Sequence, residues 1–112
     1  MHELAALTIV RDGDQLHVRL IGEVDLSNAG ALEARIMGEI APHTDQPPVI
    51  LDLSQLEYLD SAGIGLAHRL FQRLKDSGQA MRISVATGSA VHNLLTLTDL
   101  GTLIPVDEAP AG

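Results

Sequence analysis

The stretch Val49 to Leu66, VILDLSQLEYLDSAGIGL, constrains this chain more than any other. The run Val49-Ile50-Leu51-Asp52-Leu53 is apolar and branched, follows Pro47-Pro48 and precedes polar residues, which is the pattern of a strand buried on both faces. It is expected to be the central strand of a sheet. A short connection carrying Leu56, Tyr58 and Leu59 follows. Asp60-Ser61-Ala62-Gly63 then opens a segment in which Ile64, Ala67, Leu70, Phe71 and Leu74 recur at helical spacing. Asp60 or Ser61 is the expected N-cap of that helix.

A helix start presents unpaired backbone N–H groups and a partial positive charge, so it favours an anion. A phosphate on Ser61 would sit where that field welcomes it. Ordinary capping accounts for the same two residues without any function, since Asp and Ser are preferred N-caps. Gly63 and Gly65 need a further reason, because glycine in a helix costs about 0.5–1 kcal/mol relative to alanine. Close approach of another backbone, or of a partner, would supply one.

The rest of the chain alternates strands and helices. Leu7–Val10, the turn Asp12-Gly13-Asp14 and the alternating Gln15–Leu20 read as a β-hairpin with Leu16, Val18 and Leu20 facing the core. Gly22-Glu23-Val24-Asp25-Leu26 leads to Ser27-Asn28, a capping pair ahead of Leu32, Ile36 and Ile40 on one helix face. Gly30 and Gly38 weaken that helix, which should end near Pro42. Asp76-Ser77-Gly78 stops the helix that begins near Ser61, and Met81, Ile83 and Val85 alternate as a fourth strand. Ser89 should cap a third helix with Val91, Leu94 and Leu95, ended by Gly101. Leu103-Ile104-Pro105-Val106 reads as a short edge strand, and Asp107–Gly112 as a frayed tail. The expectation is one α/β domain over residues 1–112, with a core from about 7 to 106 and a mixed four- to five-stranded sheet covered by three to four helices.

Composition removes several function classes. The formal charge is −8, from 15 acidic against 7 basic residues, which opposes direct binding to nucleic acid and favours a protein partner. Without cysteine there are no disulfides or thiolate metal sites. The absence of a long apolar run and of basic and apolar leader regions leads to the expectation of a cytoplasmic protein with no membrane insertion. One Tyr, one Phe and no Trp provide neither a base-stacking platform nor an aromatic ligand pocket. The histidines at 2, 17, 43, 68 and 92 are scattered without metal-ligand spacing and read as surface or loop residues. Gly63-Ile64-Gly65 begins like a dinucleotide fingerprint but lacks its third small residue, and Ser61 lacks the glycine frame of a nucleophile elbow. No cofactor, metal or catalytic group is therefore expected, and the chain is not expected to be an enzyme.

LDLSQLEYLDSAGIGLAHRLFQRLKDSGQ resembles the signature of the STAS domain, and specifically of bacterial anti-sigma factor antagonists. Gly22-Glu23-Val24-Asp25 is similar to the family's motif before its first helix. Ala90–Leu95 through Asp99-Leu100-Gly101 to Ile104-Pro105-Val106 is similar to its C-terminal stretch. The resemblance implies the STAS fold and a phosphorylation site at Ser61, modified by an anti-sigma factor that is itself a serine kinase and restored by a phosphatase. It implies a partner-binding surface of Asp25, Ser27, Asp60, Ser61, Ala62, Gly63, Ile64 and Gly65. The unphosphorylated antagonist would capture the anti-sigma factor and free the sigma factor. Ala62 stands where many relatives carry Ser or Thr, leaving Ser61 as the one phosphoacceptor in the motif. The competing expectation is a STAS subunit of a lipid-transport ABC complex, a structural partner of the ATPase in which Ser61 is only a cap.

Overall fold

The structure, a computed structural model, describes residues 5–109. A five-stranded sheet has the order β1 (Ala5–Asp12), β2 (Gln15–Val24), β3 (Val49–Leu59), β4 (Met81–Ala86), β5 (Val106–Ala109), each strand beside its predecessor in sequence. The first pair is antiparallel and the other three are parallel. Gly13, at φ +60°, and Asp14 form the two-residue turn of the β1–β2 hairpin, a left-handed position that glycine occupies without strain. The parallel strands are joined through α1 (Ala29–Ile40), α2 (Ser61–Asp76) and the pair α3 (Ala90–Leu97) and α4 (Leu100–Leu103).

Because strands are added in one direction only, crossovers of the usual right hand put every helix on the same sheet face. Register bears this out. Leu16, Val49 and Met81 form one row across the sheet, and Val18, Leu51 and Ile83 form the next. All are at most 2% exposed and share one core with Leu32 and Ile36 of α1, Leu66, Leu70 and Leu74 of α2, and Val91 and Leu95 of α3. Each such aliphatic side chain contributes about 1.5–3 kcal/mol by leaving water. The core is aliphatic, as the near-absence of aromatic residues requires.

The opposite face corrects the reading of Val49–Leu53 as buried on both sides. Its rows are His17, Ile50, Arg82 and Arg19, Asp52, Ser84, Asp107, which are mostly polar and partly solvated. Asp52 is buried there, at 4% exposure, but among polar groups. Its Oδ2 accepts from His17 Nε2 at 2.8 Å and Arg19 Nε at 3.2 Å, and its Oδ1 from the Ser54 amide and hydroxyl at 2.9 and 2.5 Å. Burial pushes its carboxyl up, and the bonds from Ser54, His17 and Arg19 outweigh that, so the net pKa lies below 3.8. His17 is thus the partner of a buried carboxylate rather than a bare surface histidine.

Other boundaries also move. β3 runs on through Leu56, Tyr58 and Leu59, which were expected in a connection, because β2 extends to Val24 and keeps pairing with it across two register shifts. The third helix ends at Leu97, not at Gly101, which lies inside α4. Leu103 closes α4, so the last strand begins at Val106 and takes up Asp107–Ala109, expected as tail; Pro110–Gly112 lie outside the described residues. The edge position of that strand is as expected.

Candidate functional site

Val24 and Leu59, the last residues of the parallel strands β2 and β3, are register partners, so both chains leave the sheet side by side. The Asp60 amide reaches back to the Val24 carbonyl at 3.3 Å, which ties the two exits together. Parallel topology therefore brings the turn after β2 beside the first turn of α2, although 35 residues separate Asp25 from Asp60 in sequence.

Asp60 is the N-cap of α2. Its extended backbone, at φ −107° and ψ −169°, turns Oδ1 onto the Ala62 and Gly63 amides at 2.9 and 3.2 Å. Ser61 is the first helical residue, and it is exposed. Its hydroxyl makes no hydrogen bond with any described residue. Of the two candidates for the cap, the acid does the capping and leaves the serine free.

The turn after β2 is held by side chains. Asp25 Oδ1 accepts from the Ser27 amide at 2.8 Å and the Ser27 hydroxyl at 2.5 Å, and these bonds hold its carboxyl below 3.8. Asn28 accepts from the Asp25 amide through Oδ1 and donates through Nδ2 to the Glu23 carbonyl. Asn28 does occupy the N-cap position of α1, but without a side-chain capping bond, because both its polar atoms brace the turn. Leu26 stands at the tip of this turn with 85% of its surface exposed, and Tyr58 beside it is half-exposed. Asp25, Leu26, Ser27, Tyr58 and Asp60 line an open depression of about 390 Å³.

Of the residues singled out in the sequence, Asp25, Ser27, Asp60 and Ser61 come together at this surface, with Ala62 and Gly65 half-buried next to them. Gly63 is buried, and a Cβ there would fall on the side chain of Leu59, with Val24 Cγ1 at 3.2 Å. The close approach that makes it glycine comes from side chains of the strands beneath, rather than from another backbone or a partner. Ile64 packs against the core. At Gly65 a Cβ would meet only the far end of Arg69. Sequence reasoning missed Leu26 and Tyr58; a lone leucine between Asp25 and Ser27 in a polar turn was the available signal. Among the described residues no group of three His, Cys, Asp or Glu side chains is placed to hold a metal ion, and no helix is long and apolar enough to cross a membrane.

A sheet with sequential strands, helices on one face and a serine opening the helix after the central strand defines a protein of the STAS class. The chain belongs to the family described as Mlab, STAS domain, whose model matches residues 7–105. Its fold is similar to that of an anti-sigma factor antagonist from Mycobacterium paratuberculosis, with a TM-score of 0.77 and 24% identity over 91% of this chain and 84% of that one. It is also similar to the anti-sigma factor antagonist SpoIIAA in its unphosphorylated form, with a TM-score of 0.70 and 20% identity over 93% and 88% of the two chains. The Bacillus cell fate determinant SpoIIAA in its phosphorylated form matches with a TM-score of 0.65 and 20% identity over 93% and 91%.

Proposed function

We propose that this protein is an anti-sigma factor antagonist of the partner-switching kind, a cytoplasmic binding protein rather than an enzyme. Unphosphorylated, it holds a kinase-type anti-sigma factor through the surface formed by Asp25, Leu26, Ser27, Tyr58, Asp60 and Ser61, with Ala62, Ile64 and Gly65 at its edge. Phosphorylation of Ser61 by that kinase releases it, and a phosphatase restores it. One observation carries the reading: Asp60 satisfies the helix start, so the exposed Ser61 hydroxyl has no structural duty.

Phosphorylation adds about −1.5 to −2 charges beside Asp25 and Asp60, in a chain already at −8. Since Ser61 lies outside the core, the fold has no reason to change. The effect falls on the interface, where placing like charges together costs several kcal/mol and each 1.4 kcal/mol is tenfold in affinity. The test is the intact mass of the protein from its own host with the modified residue mapped, together with capture by wild type, Ser61→Ala and Ser61→Asp. A phosphate on Ser61, with a histidine-kinase-like ATPase captured by Ser61→Ala and lost by Ser61→Asp, is the expected result.

A second reading is compatible with the match to the family described as Mlab, STAS domain. In it the chain is a STAS subunit of a lipid-transport ABC complex. An unmodified serine and an ABC ATPase held equally by all three forms would select it.

A further inference from the structure

Asp60 occupies the Ala62 and Gly63 amides, so those two donors are not available to a phosphate on Ser61, and a full counter-charge has to come from a side chain. Arg69 is the first arginine or lysine of α2 after Ser61. Its Nε donates to Glu33 Oε1 at 2.6 Å, and Glu33, only 13% exposed, is fixed on α1 and also receives Arg73 Nη1 at 3.3 Å. Nη1 and Nη2 of Arg69 make no hydrogen bond with any described residue. Nη1 lies over Gly65, 2.9 Å from where a Cβ would stand. Gly65 is one helical turn after Ser61, and Cβ positions four residues apart on a helix are about 5–6 Å apart. Helical side chains lean toward the N-terminus, so the guanidinium is aimed along the bare track of Gly65 at the turn that carries Ser61.

We propose that Arg69, anchored through Nε by Glu33 and given passage by Gly65, is the intramolecular counter-ion of a phosphate monoester on Ser61. The planar guanidinium keeps its bond to Glu33 while its terminal nitrogens take phosphate oxygens, which a point-charge ammonium could not do from one position. Gly65, which nothing in the surrounding packing requires to be glycine, thereby acquires a role. The biological meaning rests on Ser61 being the phosphoacceptor, whereas the geometry does not.

The experiment installs phosphoserine at position 61 during translation and follows the ³¹P chemical shift with pH in the full chain. The phosphate has an ordinary second pKa of about 6, which the arginine holds down. Arg69→Gln is expected to raise it by about 0.3–0.7 pH unit, the range an exposed ion pair supports. Gly65→Ala, which keeps every charge and favours the helix, is expected to raise it as well by blocking the arginine. Arg73→Gln, one turn further away, leaves it unchanged. A titration identical in wild type and Arg69→Gln, or moved as far by Arg73→Gln, overturns the proposal. Absence of phosphate on Ser61 in the native host would remove the switching function and leave this titration as it is.

Discussion

Replacing Asp60 and Ser61 separately by alanine tests the division of labour at the start of α2. Asp60→Ala removes a half-buried carboxylate that accepts two backbone amides, at 2.9 and 3.2 Å, from a helix of 16 residues. Loss of an N-cap costs about 0.5–2 kcal/mol. Two bonds and a negative charge at the positive end of the helix place this case in the upper part, about 1–2 kcal/mol. For a domain of this size that lowers the melting temperature by roughly 4–8 °C, and it moves the urea midpoint down by about 0.5–1 M with an unchanged slope. Ser61→Ala removes a hydroxyl without a partner from an exposed first-turn position, so its effect stays within about 0.5 kcal/mol. Urea and thermal unfolding of both variants by circular dichroism decide the matter. If Ser61→Ala loses as much stability as Asp60→Ala, the hydroxyl is a structural group and the case for a free phosphoacceptor fails.

Asp52→Asn should cost about 1–2 kcal/mol at neutral pH, because charge-assisted bonds to His17 and Arg19 are lost. The folded pKa of Asp52 lies below its unfolded value, so its stabilisation is complete above that value and is lost as pH falls through the lower folded one; the gap between wild type and variant in urea melts should therefore close as pH falls below 3.8, and a gap independent of pH would contradict the account. Leu26→Asp should leave stability within about 0.5 kcal/mol, since the side chain is 85% exposed, yet lower affinity for the captured partner at least tenfold in calorimetry, the behaviour of an apolar anchor. Two glycine replacements should have opposite signs in thermal melts. Gly38→Ala, with open space around it inside α1, should stabilise by about 0.5–1 kcal/mol. Gly63→Ala, whose methyl lands on Leu59, should destabilise by about 1–3 kcal/mol.

Much of the fold is legible because local and global signals agree. Leu16, Val18 and Leu20 alternate and are buried; Leu32, Ile36 and Ile40 recur at four and are buried; Ser89 accepts from the His92 amide, as its position ahead of Val91 suggests. The failures fall where long-range pairing overrides local pattern. Ser54 and Gln55 look like the end of a strand, but β2 continues to Val24 and carries β3 to Leu59. Asp52 hides a polar sheet face inside an apolar run, because its partners His17 and Arg19 lie 35 and 33 residues away. The serine at the helix start is visible in sequence, but which residue does the capping depends on the backbone angles of Asp60. The exposure of Leu26 follows from the bonds among Asp25, Ser27 and Asn28, which the pairing of β2 with β3 sets beside Asp60.

The sequential strand order carries a consequence for how the chain is made. Each strand is laid on the outer edge of the one synthesised before it, and none has to be inserted between two strands already paired. Assembly can therefore proceed with translation from the N-terminus, the direction in which nascent segments become available. Asp25, Ser27, Tyr58, Asp60 and Ser61 all lie between the end of β2 and the start of α2, ahead of β4, α3, α4 and β5 in the order of synthesis. Those later elements complete the packing, through Ile83, Val85, Val91, Leu95 and Ile104. The proposed recognition surface is thus encoded ahead of the elements that complete the packing.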